Sequence, residues 1–302
     1  MELSLFAAVI VGAAVVAART TKGRRWFERN YRRGAQMNVA VTSVGSVLFV
    51  WNLLCAFLPH SKLSADLCMA LTLIAVIVAA AMLERFRIRP ATHQERKVVL
   101  AIGAHPDDLE IACGGTLAKL VDAGHEVHTL VMSHGAVGGD VDTRPGEAKN
   151  GATFMGVTGV QVCNLPDTNL AEHTNELVAA IEAKINELSP DVLFTHSEHD
   201  QHQDHHAVHL ATLRAARRHS SILCYESPST TRRFNPAVFV DIEEYMDVKI
   251  QAVAQHKDQA GKPYMGADRL RGVAAFRGSQ AKQRFAEGFE PVRLLGSSIG
   301  GL

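Results

Sequence analysis

Three apolar runs crowd the first 85 or so residues, and they limit the fold more than any other feature. Residues 3–18 and 67–83 carry no charge, and residues 39–58 carry Asn52 as their one strongly polar side chain. A segment in hydrocarbon must satisfy its own backbone N–H and C=O groups, so such runs form helices. A span needs ~20 residues; the second and third runs are near that length and the first is short. Burial in a protein core would explain any one of them. Three together, flanked by cations, read as a membrane anchor over residues 1–89. The flanks are Arg19, Lys22, Arg24, Arg25, Arg29, Arg32 and Arg33, set against Glu28, and then Arg85, Arg87 and Arg89. Basic flanks stay on the cytoplasmic side. Runs 39–58 and 67–83 then form a hairpin with a tight outer turn at 59–62, and everything after Arg89 lies on the inner face. If residues 3–18 also span, the N-terminus is outside; if they lie in the interface, the rest is unchanged. The basic stretch would also attract anionic lipid headgroups. Met1-Glu2 supplies no basic n-region and no cleavage site follows, so a removable signal peptide is not expected.

Residues 90–96 read as a short linker, and from Lys97 the pattern changes. Short apolar strands are expected at 98–103, 126–132, 160–164, 191–195, 222–225 and 238–241. Helical stretches are expected at 115–123, 147–155, 175–188 and 204–218, with a mainly helical tail from Glu243. Strands alternating with amphipathic helices predict an α/β domain over 90–302, a Rossmann-like, mostly parallel sheet with helices on both faces. Val178, Ile181, Ile185 and Leu188 share one helix face and read as core. Lys and Arg together number 31, as do Asp and Glu, so no net charge favours nucleic acid. The five cysteines form no CxxC pair, which suits a reducing compartment better than a disulfide framework.

Two polar clusters interrupt the second region. Ala104-His105-Pro106-Asp107-Asp108-Leu109-Glu110 follows the first expected strand. His105 and Asp108, three apart on a turn, can face one metal ion and leave Asp107 free as a base. The second cluster, from His196 to His206, follows the strand Val192-Leu193-Phe194-Thr195 and includes His199, Asp200, His202, Asp204 and His205. A solvated loop explains charge but not so many imidazoles, and both clusters sit at C-terminal strand ends, where open α/β sheets build sites.

Together the two motifs resemble the PIG-L/LmbE-like family of zinc-dependent de-N-acetylases. Arg144-Pro145-Gly146-Glu147-Ala148, Leu165-Pro166-Asp167 and Ala286-Glu287-Gly288-Phe289-Glu290 add family-like features, and the likeness runs from about Lys97 to Glu290. The resemblance implies His105, Asp108 and His205 as zinc ligands, with a fourth position left open for water. It implies Asp107 as general base, and His202 as oxyanion stabiliser or proton donor to the leaving amine. Asp204 would orient His202, Arg144 would contact substrate and Asp167 would bind a sugar hydroxyl. Glu110 would support the turn. The same His/Asp set suits Fe2+ and other divalent ions. The implied reaction removes acetate from an N-acetylglucosamine-type amide, and an inner-face domain on an anchor suggests a lipid-linked amino sugar. A soluble glycoside or secondary-metabolite precursor is the alternative.

Asp204-His205-His206 also spells the triplet of two-metal DHH phosphoesterases. That chemistry wants an Asp-x-Asp cluster where this chain has His-Pro-Asp-Asp. A relic domain without catalysis would have lost a ligand or the base, and all are present. Dinucleotide binding fails because the first βα turn lacks Gly-x-Gly-x-x-Gly and its carboxylates would repel a pyrophosphate.

Overall fold

The computed structural model describes residues 2–57, 62–88 and 95–295. Most of the expected 59–62 turn and of the 90–96 linker lies outside them. The chain divides into two compact units, Met1–Arg89 and Pro90–Leu302.

The first unit is helical: α1 (Glu2–Arg19), α2 (Thr21–Asn30), α3 (Gly34–Phe57) and α4 (Lys62–Phe86). Gly34–Phe57 and Asp66–Phe86 are long and apolar enough to cross a membrane. α1 joins α2 at a bend of 80°, so this pair adds a third span only as a broken one. Thr20 makes the corner, its hydroxyl donating to the Ala17 carbonyl (2.7 Å) and accepting from the Gly23 N–H (3.0 Å). α1 and α3 approach closely through small residues: a methyl added at Gly12 would stand 2.9 Å from Phe49, and one at Gly45 2.5 Å from Val15. Asn52 is fully buried and donates to Thr72 Oγ1 on α4 at 2.9 Å. The polar residue of the second run therefore faces another helix, where its amide is paired.

The second unit is an α/β layer structure. Strands β1 (Val98–Gly103), β2 (Glu126–Ser133), β3 (Gly159–Leu165), β4 (Val192–His196), β5 (Ile222–Tyr225), β6 (Val238–Asp241) and β7 (Ala286–Arg293) form one sheet in the order β3-β2-β1-β4-β5-β7-β6. β1 to β5 are parallel; β7 pairs antiparallel with β5 and with β6. β1 is Val-Val-Leu-Ala-Ile-Gly because both its faces are covered. Leu100 and Ile102 join a core with Leu177 and Ile181 of α7 (Thr174–Leu188) and Val208 and Ala211 of α8 (Gln203–Ala215). The alternate face of β1 meets α5 (Asp108–Asp122), where a methyl at Gly103 would touch Asp108 and Leu109 at 3.3 Å. α6 (Arg144–Met155) and α9 (Met246–Val253) pack beside α5, and α10 (Ala267–Ala281) packs on β7. The chain leaves β3 through α7 and returns to β4, on the other side of β1. That reversal opens a crevice between the C-terminal ends of β1 and β4.

Two elements differ from expectation. The helix after the first motif starts at Asp108, so the motif is its first turn. The tail contains β7, wedged between β5 and β6, where mostly helix was expected. Gly288, Pro291 and the acidic Glu287 and Glu290 hide its strand character. Glu287 is tolerated there because its carboxylate has partners. α5 kinks at Cys113, and the freed N–H groups of Gly115 and Thr116 donate to Glu287 at 3.0 and 2.7 Å, while Lys249 pairs with it at 2.6 Å.

Candidate active site

The site is assembled from the turns that follow β1 to β5. After β1, the chain folds at once into α5, and Asp108 turns back on that junction. Its Oδ2 accepts from the N–H groups of Ala104 (3.0 Å) and His105 (2.7 Å). Its Oδ1 lies 3.3 Å from His205 Nε2. The imidazole of His105 is gripped from behind: its Nε2 lies 3.1 Å from Asp167 and 3.3 Å from Asp204. Carboxylates only accept, so Nε2 carries the proton and Nδ1 keeps its lone pair. His205 is set the opposite way round. Its Nδ1 donates to Asp200 at 2.8 Å, which leaves the lone pair on Nε2.

The two lone-pair nitrogens, His105 Nδ1 and His205 Nε2, face each other at 3.2 Å. Asp108 closes the triangle with Oδ1 on His205 and with Oδ2 3.5 Å from His105 Nδ1. Donors on one tetrahedral Zn2+ at ~2.0–2.1 Å stand roughly 3.3 Å apart. Two acceptors pointed at one another need a cation between them, and a divalent metal fits this donor set. Each ring also carries the carboxylate backing typical of metal-ligating histidines. Without metal a proton substitutes. Burial opposes charging His205, but Asp108 and Asp200 outweigh it and push its pKa up to about 9. For His105, burial is likewise overcome, by Asp108, Asp167 and Asp204.

The backing carboxylates are themselves fixed by neighbouring turns. Asp200 accepts from Ser227, from Ser229 Oγ (2.6 Å) and from the His202 N–H (2.9 Å). Asp204 accepts from the N–H groups of Thr168 (2.6 Å) and Leu170 (3.1 Å). Thr168 has φ +63°, a left-handed conformation that a β-branched residue rarely adopts. Its amide is held by Asp204 and its carbonyl accepts from Gln203 Nε2 at 2.6 Å. That turn aims Asp167 at His105.

Asp107 stands beside the metal ligands, 4% exposed. Arg144 donates to its Oδ1 at 3.1 Å and to the Gly135 carbonyl at 2.5 Å. Gly135 has φ +69°, and a methyl there would collide with the Arg144 guanidinium at 2.1 Å, so only glycine leaves the arginine its place. His202 caps α8, its Nδ1 accepting from the Asp204 N–H at 3.2 Å. The proton is therefore on Nε2. Burial, and the neighbouring His205 and His105, lower its pKa and keep the ring neutral.

One expected contact is replaced. Asp204 meets His202 through its backbone N–H, because His202 is the cap of α8; its carboxylate goes to His105. Asp167 backs His105 through Oδ1 and accepts the Val137 N–H (2.7 Å) through Oδ2. Arg144 donates to Asp107 and to the Gly135 carbonyl, and its buried Nε has no partner among the described residues. Glu110 is buried, with Oε2 3.5 Å from His256 Nε2. Sequence reasoning gave no role to His196, Ser227, Ser229 or His256. His196 is fully buried, stacks on His205 (3.9 Å between centroids), and lies 3.2 Å from Asp108 Oδ2. Its place at the end of the β4 motif was a usable signal. The serines and His256 come from segments with no motif.

Buried imidazoles and an arginine-held carboxylate at a sheet switch point define a candidate metal-and-base site on an α/β fold. Residues 100–216 match the profile of PIG-L, the GlcNAc-PI de-N-acetylase. An uncharacterized deacetylase of Escherichia coli K12, YaiS, is 39% identical over 170 residues, covering 54% of this chain and 92% of that protein. Diacetylchitobiose deacetylase of Thermococcus kodakarensis is 30% identical over 229 residues, covering 65% and 83%. The solved N,N'-diacetylchitobiose deacetylase of Pyrococcus horikoshii superposes with TM-score 0.57 at 25% identity, covering 66% of this chain and 85% of its own. The chain belongs to the PIG-L (LmbE-like) family of de-N-acetylases.

Proposed function

We propose that this protein is a membrane-anchored zinc hydrolase that removes the N-acetyl group from an N-acetylglucosamine-type substrate joined to a lipid. The opposed lone pairs of His105 and His205, closed by Asp108 and flanked by the arginine-held Asp107, carry the reading. The relatives that act on diacetylchitobiose support the amino sugar. The apolar helices α3 and α4, with their cationic flanks, support the anchor and, by the positive-inside rule, a cytoplasmic catalytic unit.

A bound metal would polarise the acetamide carbonyl and lower the pKa of a water to ~7. His105, Asp108 and His205 would hold it. Asp107 takes the proton from the attacking water, its carboxylate oriented by Arg144. The neutral His202 donates its Nε2–H to the carbonyl oxygen as that oxygen gains charge. When the C–N bond breaks, the proton on Asp107 passes to the amine, and the water's second proton leaves the acetic acid for that amine, giving acetate and an ammonium-form amino sugar. No net proton is left over, so the base is reset in each turnover.

Acetate release from N-acetylglucosaminyl phospholipids and from soluble glycosides, with and without chelator, tests the reaction. Chelator-sensitive release is expected, faster on the lipid-linked substrates. Release that survives complete metal removal, or none from any amino sugar, overturns it. A reporter fused after Leu302 tests the topology; periplasmic activity would reverse the orientation.

A further inference from the structure

One cation across a glycine from Arg144 pairs with no carboxylate among the described residues. The loop after β2 carries Gly138, and a methyl there would lie 2.9 Å from Arg144 Nη1 and 3.6 Å from Lys262 Nζ. Two cations thus flank one glycine. Arg144 is neutralised by Asp107. Lys262 donates to the Gly138 carbonyl at 3.2 Å, sits 5.9 Å over the ring of Tyr264, and pairs with no carboxylate among the described residues. An ammonium has three protons, and one hydrogen bond leaves two to donate.

The segment that carries Lys262 is firmly held. Glu147 of α6 accepts from the N–H groups of Lys257 (2.9 Å) and Asp258 (3.2 Å). Gln259 is 1% exposed and donates to the same Gly138 carbonyl at 3.3 Å. Asp258 accepts from the Asp140 N–H at 3.3 Å. Tyr264 is half-buried. Burial, Asp107 and Asp108 push its hydroxyl up to about 12, which keeps it a protonated donor. A lysine on so well held a segment, across one glycine from the arginine that pairs with Asp107, is a preorganised anion receptor.

We infer that Lys262, backed by Tyr264 and the Gly138 carbonyl, recognises a phosphate on C1 of the amino sugar whose C2 acetamide is at the metal. This rests on the proposed de-N-acetylation and names its substrate class. C1 and C2 are adjacent, so a C1 phosphate lies within one ring of the scissile amide, as Lys262 lies within one glycine of Arg144. The phosphate belongs either to a soluble sugar phosphate or to a lipid phosphodiester.

The test compares the KM of the full-length protein for N-acetylglucosamine 1-phosphate, for a lipid phosphodiester of it in neutral micelles, and for the neutral methyl glycoside. Both phosphates are expected to be preferred over the glycoside. Lys262→Ala should raise KM for the phosphates about tenfold with kcat little changed, collapsing the preference, and Lys262→Arg should restore it. Added salt should weaken the preference of the wild type and leave the KM values of Lys262→Ala unmoved. A preference for the micellar substrate alone assigns the lipid source; equal preference assigns the phosphate itself. Turnover with no preference for phosphate, or a preference that survives Lys262→Ala, overturns the inference. No turnover of any amino sugar overturns the proposed function, and this with it.

Discussion

Replacing Asp200 by Asn tests whether the carboxylates behind the histidines set the metal site. Asp200 is 7% exposed and joins His205 Nδ1, two serine hydroxyls and the His202 N–H in one buried network. Asn keeps the shape but changes the hydrogen-bonding sense. If its NH2 faces His205, Nδ1 must accept, and the proton moves to Nε2, the atom that faces His105 at 3.2 Å. The ring then presents an N–H where a lone pair is needed. If its oxygen faces His205, the tautomer survives, but the NH2 is turned towards Ser229 Oγ and the His202 N–H, and the latter cannot accept. Either way a buried charge-assisted bond worth about 1.5–3 kcal/mol becomes a neutral one. Loss of such a backing partner weakens metal binding by about 10–100-fold. Competition with a chelator indicator measures that affinity, and thermal melting of the metal-free protein controls for folding. A variant that folds and binds Zn2+ as tightly as the wild type would refute the reasoning.

Asp107→Asn should keep the metal and lose turnover by about 10²–10⁴-fold, since it removes only the base; His105→Ala should lose the metal, and near-normal kcat in Asp107→Asn would remove its assignment. The metal-free protein should lose stability as pH rises from 6.5 to about 9. His205 gains affinity for its proton on folding, so its contribution is complete below 6.5 and gone above about 9; melting temperatures against pH, flat across that window, would contradict this. Gly135→Ala should lower kcat more than metal content, because its methyl would occupy the place of the Arg144 guanidinium; unchanged kcat would show that Arg144 is dispensable to the base. Asn52→Leu should weaken α3–α4 association by about 0.6–1.7 kcal/mol in micelles, and no change by double-mutant cycle with Thr72→Val would mean their bond contributes nothing.

The sequence made the β1-to-β5 order legible because buried parallel strands read as continuous apolar runs. Val98–Gly103 and Ile222–Tyr225 were expected at the bounds found. β7 was hidden because its identity depends on Glu287, an acidic residue that suits a strand only after Lys249 and the kinked α5 arrive to pair with it. The same split runs through the site. His105, Asp107, Asp108, His202, Asp204 and His205 come from two motifs, and the fold brings them together at the switch point. What each carboxylate does was not legible. Asp204 was expected on its sequence neighbour His202. It is drawn to His105 because the left-handed turn at Thr168, across the crevice, offers it two amides. Spacing along a chain fixes which residues share a turn, but the partner of a side chain depends on what the next strand delivers.

That delivery also explains how so many carboxylates tolerate one another. Asp108, Asp167, Asp200 and Asp204 all accept backbone N–H bonds, and in each case the donors hold the charge away from bulk water at little reorganisation cost. The donors to Asp167 and Asp204 belong to the turns after β2 and β3, while the acceptors follow β3 and β4. The network therefore ties adjacent crossovers together along the C-terminal edge of the sheet. These acids exceed the local cations: Arg144 offsets Asp107, and the histidines are neutral once their inner nitrogens coordinate. The excess negative charge is what a divalent ion would neutralise. The metal would then stabilise the fold as well as supply chemistry, with a gain of about 2.7 kcal/mol at a hundred times its dissociation constant. Metal titrated into the wild type should raise the melting temperature of the catalytic unit. In Asp108→Asn, which keeps the shape but removes one of those charges, the increment should shrink. Equal increments in the two proteins would show that the carboxylate excess is unrelated to the ion.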